Sequence, residues 1–438
     1  MLKITTGIPK QLHWQDKKNS FFSLFLLLFL ITIVFSDCKP YYNTVSNNNV
    51  SFLYNPSLGS LKPEYRVYHT GNETSALFFA ISTDQLIFSK TLTDPEIKAK
   101  IKINYQLIRS LESNEITDSA TTIIRLEKSE NKLYTDFIEI KIPENEKFTL
   151  KIVFTDVTSS KSATSYIDIN KANLHAAQNY LPVMLNGTNF YRNFVYSSDS
   201  LIFKNKRNNA DYYFVSYYDT EFEMAQPPFS LTVYKSTALI PAEIKKVKST
   251  DTLVFAKRGM YIIQTDTSQN DGFTIHNFGD FYPEFKTAGE MLKPVRFLVT
   301  SKEFKKYEEY TNKKLAVDEF WLKSTGNTDR AREVIRAFYN RASFANVYFT
   351  SYLEGWKSDR GMIYMIYGAP KHIYKTNDSE RWLYGDSPDV ISLSFTFSKV
   401  DNNFSENDYI LIRKEIYKSS WYQAVDTWRN GRVYSIVH

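Results

Sequence analysis

At 438 residues the chain is long for one domain, and about two to four are expected. Its 43% hydrophobic and 23% charged composition is that of an ordinary globular protein. A net charge of +6, with no run of five or more Lys/Arg, argues against a nucleic-acid partner. The one cysteine, Cys38, excludes an intrachain disulfide framework and a Cys-based zinc site. The many Tyr and Phe favour strands. They accompany an excess of Asn, Lys and Ile and are not read as a ligand signal.

Lys17 and Lys18 precede an apolar run, Phe21–Phe35, broken only by Ser23 and Thr32. The run has the length of a signal-peptide core and falls short of the about 20 residues a membrane span needs. It ends just before Cys38 and resembles a bacterial lipoprotein signal. In such signals a peptidase cuts before the cysteine, which then carries diacylglycerol on sulfur and an acyl group on its amine. Asp37 stands where these signals usually have a small residue. An uncleaved anchor and an ordinary cleaved signal are the alternatives. The expectation is a lipoprotein-type signal over 1–37, Cys38 as the lipidated residue, and a flexible tether over 38–61. Membrane attachment is then through the lipid. No acidic cluster follows Cys38, which favours the periplasmic side of the outer membrane over the cell surface.

From 62 to 172 the chain alternates with period two. Ile101, Ile103, Tyr105 and Leu107 share a face, as do Phe148, Leu150, Ile152 and Phe154, and Ile138, Ile140 and Ile142. Half-buried antiparallel strands in a β-sandwich are predicted. A second β-rich domain is predicted over 178–282. Its strands are 211–219, 229–235 and a hairpin over 251–266 turning at Lys257–Gly259. The histidines, His69, His175, His276 and His372 among them, are read as surface or loop residues.

Past 284 the period changes. Helical patterns cover 301–323 and 328–349, the second with Thr328 as cap and Asp329 in its first turn. Val334, Phe338, Arg341, Ala345 and Tyr348 form one stripe, in which Arg341 either snorkels or meets a carboxylate. Met362–Tyr367 reads as a short apolar strand stopped by Gly368-Ala369-Pro370. Strands over 391–397 and 408–416 and a closing helix with Trp421, Val425 and Trp428 complete an α+β domain over 285–438. The fold class is therefore multidomain: N-terminal all-β sandwich-like domains followed by a C-terminal α+β domain.

Within it lies Gly355-Trp356-Lys357-Ser358-Asp359-Arg360-Gly361. Supporting pieces are Asp318-Glu319-Phe320-Trp321, Phe338-Tyr339-Asn340-Arg341 and Tyr367-Gly368-Ala369-Pro370. Together they resemble the GWxTD domain of bacterial envelope proteins, chiefly of Bacteroidetes, with Ser358 where the family has threonine. The resemblance implies an envelope or secreted lipoprotein with β-domains ahead of the GWxTD domain, and no established catalytic chemistry.

Three readings of the motif stand side by side. In the first it is a clasp: Ser358 or Asp359 accepts backbone N–H groups, Arg360 or Arg341 pairs with Asp359 or Glu380, and Trp356 packs on the helices. In the second, Trp356, Arg360, Arg381, Trp382 and His372 border a groove for a peptide or glycan. In the third, Glu354, Asp359 and Glu380 supply acid–base hydrolysis across a cleft. No nucleophile elbow, zincin motif, P-loop or dinucleotide fingerprint is present, so no catalytic residue, metal or cofactor is assigned. The expected function is a lipid-anchored, non-catalytic interaction or scaffold subunit with an outer-membrane protein partner. A glycan- or peptide-binding protein or hydrolase is the alternative.

Overall fold

The computed structural model describes residues 44–56, 61–91, 94–113, 115–207, 209–231, 239–385 and 393–436. The signal segment, Cys38 and most of the strand expected at 229–235 lie outside the described residues. From Thr44 onward the chain is one compact unit. The multidomain order expected from the sequence is found: β-domains first, then a helical region with strands. Among the described residues no helix is long and apolar enough to cross a membrane.

The first domain holds β1 (Glu64–His69), β2 (Thr74–Ser82), β3 (Ser89–Thr91), β4 (Asp94–Ile108), β5 (Ile116–Glu127), β6 (Leu133–Lys141), β7 (Lys147–Asp156) and β8 (Lys161–Asn170). A three-stranded sheet, β1-β2-β6, faces a five-stranded sheet of β3, β4, β7 and β8 with β5 on β4. The alternating residues of β4 and β7 fill the space between them, with Ile101, Ile103, Leu107, Leu150, Ile152 and Phe154 fully buried. Period two puts one side of each strand into that core.

The second domain holds β9 (Leu181–Met184), β10 (Ser200–Lys204), β11 (Tyr212–Tyr218), β12 (Glu243–Lys248), β13 (Leu253–Val254), β14 (Gly259–Gln264) and β15 (Phe273–Asn277). Its sheets run β13-β10-β9 and β12-β11-β14-β15. The expected hairpin at 257–259 is not formed. β13 pairs with β10, whereas β14 crosses to β11 and β15. Leu253 and Phe255 thereby reach the shared core with Ile263 and Phe273.

The third domain contributes α1 (Ala288–Val295), α2 (Ser301–Glu308), α3 (Lys313–Thr325), α4 (Thr328–Phe349), α5 (Asp359–Tyr367), β16 (His372–Lys375), β17 (Ser379–Tyr384), β18 (Leu393–Lys399), β19 (Tyr409–Leu411) and α6 (Tyr417–Arg429). The 301–323 pattern is two helices, because Asn312 caps a new start. Asn327, not Thr328, caps α4, accepting from the Arg330 N–H. The expected strand at 408–416 is only the three-residue β19. The four strands form one antiparallel sheet against the helices. The domains are fastened to one another. Arg66 donates to the Tyr191 and Arg192 carbonyls at 2.7 and 2.9 Å, and Lys399 meets Asp168 at 2.6 Å.

Two histidines expected at the surface are buried. His69 Nδ1 lies 2.8 Å from the Ser75 hydroxyl, which also receives Lys171 Nζ at 3.0 Å. Nε2 lies 3.3 Å from the Asn170 carbonyl, which only accepts, so Nε2 carries a proton. Burial, then the Lys171 charge, pulls His69 down to about 3, and burial does the same to His276. Both lie below the unfolded value of about 6.5. The stability they give is complete above that pH and is lost as pH falls toward 3. Each β-domain is expected to lose about 1.4 kcal/mol per pH unit below 6.5. Asp408 in the third domain runs the other way, because burial raises it to about 6. Urea unfolding followed separately for each domain at pH 7 and pH 5 checks this. Equal β-domain midpoints at the two pH values would refute it.

Candidate functional site

The motif is the entry to α5, and each of its residues has a backbone or core task. Gly355 begins a 3-10 turn, Gly355–Lys357, that lies against α4. A Cβ on Gly355 would sit 2.1 Å from the Ala345 carbonyl oxygen, so only glycine permits that approach. Trp356 is buried beside Phe285 and Phe297, and its N–H is taken by Asn346 at 3.0 Å. Ser358 is the N-cap: its hydroxyl accepts the Gly361 N–H at 3.0 Å and donates to the Gly355 carbonyl at 2.7 Å. A serine serves as well as a threonine, since only the hydroxyl is used.

The run Met362–Tyr367, expected as a strand, is therefore helix. Every residue of α5 is buried, so no polar stripe marks its period. A short uncharged run is ambiguous between the two structures. Asp359, in the first turn, accepts the Leu411 N–H at 2.8 Å and Arg413 at 3.0 Å through the same oxygen, while its other oxygen takes a second Arg413 contact. Its carboxylate suits the positive end of the helix and closes β19 against it.

Arg360 is fully buried. It donates to Glu380 at 3.1 Å, to the Tyr54 hydroxyl at 3.3 Å and to the Asn407 carbonyl at 3.0 Å, and lies 4.0 Å over the Tyr409 ring. Glu380 is equally buried and fully used. It accepts Tyr54 at 2.8 Å, Lys375 at 2.7 Å and the Trp382 indole at 3.1 Å. Burial pushes its carboxyl up, but Lys375 and Arg360 outweigh this and hold it at about 2. The same attraction raises Lys375 against the lowering effect of burial.

Tyr54 comes from residues 44–56, which the sequence suggested were part of an unstructured tether. They are instead a strap on the C-terminal domain. Asn49 bridges the Lys371 carbonyl and the Ile373 N–H at 3.2 and 2.9 Å, and Val50 donates to Ile373 at 2.9 Å. The Tyr54 ring then enters the core against Phe349 and Trp382. His372 is half-buried and its ring nitrogen meets Asn49, so it holds the strap.

Arg341 neither snorkels nor meets a carboxylate. It donates to the Met365, Ile366 and Tyr434 carbonyls at 3.3, 3.2 and 2.9 Å, closing the end of α5. Burial lowers it to about 10. Gly368 follows at φ +87°, and a Cβ there would press on that guanidinium.

Thus Trp356, Ser358, Asp359, Arg360, Arg341, Glu380 and Trp382 are brought together as one packed unit. Arg381 is exposed on β17 and is not part of it. The groove of the second reading has no wall, since Trp356, Arg360 and Trp382 are all buried. The acids of the third reading do not face one another across a cleft: Asp359 and Glu380 are ion-paired inside, and Glu354 holds Lys357 at 2.9 Å. Trp356 does edge a shallow depression with Arg258, Phe278, Glu284, Lys293 and Glu354. Tyr54, Lys375, Asn407 and Arg413 escaped the sequence reading. Nothing local marks Tyr54, Asn407 and Arg413, because their partners are distant in the chain, whereas Lys375 faces Glu380 across the β16–β17 pair.

Residues 259–430 match the GWxTD domain family. The matched segment contains α1–α6 and β16–β19, and starts at β14 of the preceding domain. No curated protein matches the chain. Among solved structures, a calcium-binding mutant of Bacteroides uniformis beta-glucuronidase 2 is similar at 12% identity with a TM-score of 0.16. That match covers 25% of this chain and 13% of the other, and carries no argument.

Proposed function

From a GWxTD domain whose motif residues are spent on internal bonds, we propose a non-catalytic interaction or scaffold subunit of an outer-membrane-associated assembly. The observation that carries this reading is the burial and ion pairing of Asp359, Arg360 and Glu380, which leaves the motif no free acid or base for chemistry. The mutual fastening of the three domains supports a rigid body that presents its outer surfaces to partners. The leader ending at Cys38 supports lipid anchoring there, on the periplasmic side of the outer membrane, in a bacterium of the Bacteroidetes kind.

The depression beside Trp356 favours a second reading, a binding protein for a glycan or peptide. Its aromatic floor with both charge signs at the rim is the composition such ligands need. Affinity purification of the C-terminally tagged chain from gently solubilised membranes, with intact-mass analysis, separates the two. The first reading expects a diacylglyceryl mass on Cys38 and a stoichiometric membrane-protein partner. An unmodified chain without a partner would overturn it.

A further inference from the structure

The longest edge strand of the first domain, β5, is bare on its outer side among the described residues. β5 is held on β4 from Lys98↔Glu127 to Ile108↔Ile116, and no other described strand pairs with it. A strand edge offers a row of unpaired N–H and C=O groups, and proteins usually guard it with lysines, prolines or a covering element. Three other sheet edges are guarded, whereas β6, which pairs only with β2 among the described strands, is a second and shorter edge of this domain. β12 carries Lys245, Lys246 and Lys248. β8 is met by Lys399 at Asp168, and its Tyr166 packs on the C-terminal core. β1 is met by the second domain through Arg66.

β5 has none of these devices from Thr117 to Ile124. The stretch reads TDSATTII, without lysine or proline. Its one charge, Asp118, is occupied by the Tyr105 hydroxyl at 2.9 Å. Thr117, Thr121, Thr122, Ile123 and Ile124 are β-branched, which suits a strand with neighbours on both sides. Ile123 is 51% exposed, and Ser119, Thr121 and Arg125 are exposed on the same face.

We propose that this edge pairs antiparallel with β5 of a second copy of the chain, joining the two five-stranded sheets into one. A two-fold axis normal to the sheet keeps each face on its own side, so opposed residues must share a face. Centred on Thr121, the register sets Thr121 on Thr121 and Ser119 on Ile123. On the other face Ala120 meets Thr122 and Asp118 meets Ile124, and the regular pairing ends at the bulge that separates Asp118 from Ile116. From Asp118 to Ile124 no like charges oppose one another, and threonine and isoleucine fill the centre. A copy of the chain therefore suits this edge in charge and in length. The inference rests on β5 alone and is independent of the proposed function.

The test uses the full chain in detergent. Thr121→Cys places two thiols at the axis, where opposed Cα atoms lie about 4.5–5.5 Å apart and a disulfide can close. Mild oxidation is expected to give at least about tenfold more covalent dimer than Thr252→Cys, a control at an exposed turn remote from β5 in the sequence. The double variant Thr121→Lys, Ile123→Lys keeps strand-compatible residues but sets like charges at the axis. It is expected to be monomeric by light scattering with an unchanged melting temperature. Equal cross-linking of the two cysteine variants, a monomeric wild type, or a dimer that survives the lysine pair would each overturn the proposal.

Discussion

Glu380→Ala is expected to destabilise the C-terminal domain by about 3–5 kcal/mol, the range for breaking a buried ion pair from one side. The carboxylate is fully buried and answers two cations, Arg360 and Lys375, together with the Tyr54 hydroxyl and the Trp382 indole. Its removal leaves the fully buried Arg360, and the partly buried Lys375 beside it, without their acid. Glu380→Gln retains the shape but not the charge and should fall in the same direction. Tyr54→Phe removes one donor to the carboxylate and should cost less, about 1–3 kcal/mol. Urea unfolding followed by tryptophan fluorescence is suited to the test, because Trp382 sits on the acid itself. A loss below about 1 kcal/mol for Glu380→Ala would show that the ion pair does not hold the strap and sheet together.

The second large effect is expected at Gly361. A Cβ there would stand 1.9 Å from the Gly355 carbonyl oxygen and 3.0 Å from the Trp356 Cα. Both obstacles are backbone, and Gly355 is itself pressed against α4, so nothing nearby can give way. The requirement is close approach and not a left-handed conformation. Gly361→Ala and Gly355→Ala should each cost more than about 4 kcal/mol, a size reserved for disrupted cores. Gly289→Ala is the control. It lies inside α1 with open space around its Cα and should be neutral or stabilising by up to about 1 kcal/mol. Thermal unfolding of the three variants decides the matter. Near-native melting of Gly361→Ala would mean that the turn and helix are not locked as described.

What could be read from the sequence was set by how local the cause is. The faces of β4 and β7 were legible because alternation is written residue by residue. The order of β-domains before helices was legible for the same reason. α5 was not, since burial on all sides erased the polar face that marks a helix, although Ser358 stood ready as its cap. The motif residues Arg360, Asp359 and Glu380 were named as parts of a clasp. Arg360 with Glu380 is one of the four pairings the sequence leaves open, while Asp359 with Arg413 is not among them. Arg341 was recognised as needing a partner, but backbone carbonyls leave no signature that charge counting can detect. Tyr54 was lost in an Asn-rich stretch whose composition resembles a tether. Its packing depends wholly on residues hundreds of positions away.

The strap has a consequence for the order of assembly. Tyr54 and its acceptor Glu380 are 326 residues apart in sequence. At ordinary elongation rates of about 5–20 residues per second, roughly 15–65 s pass between the appearance of one and of the other. Both β-domains lie between them in the chain and can fold as units without either. The C-terminal domain cannot close its core until the start of the chain returns to it. The two β-domains are thus inserted between a short strap, residues 44–56, and the rest of the domain it completes. Any early release of the chain leaves a free aromatic strap, a feature by which quality-control factors could distinguish a finished molecule from an unfinished one.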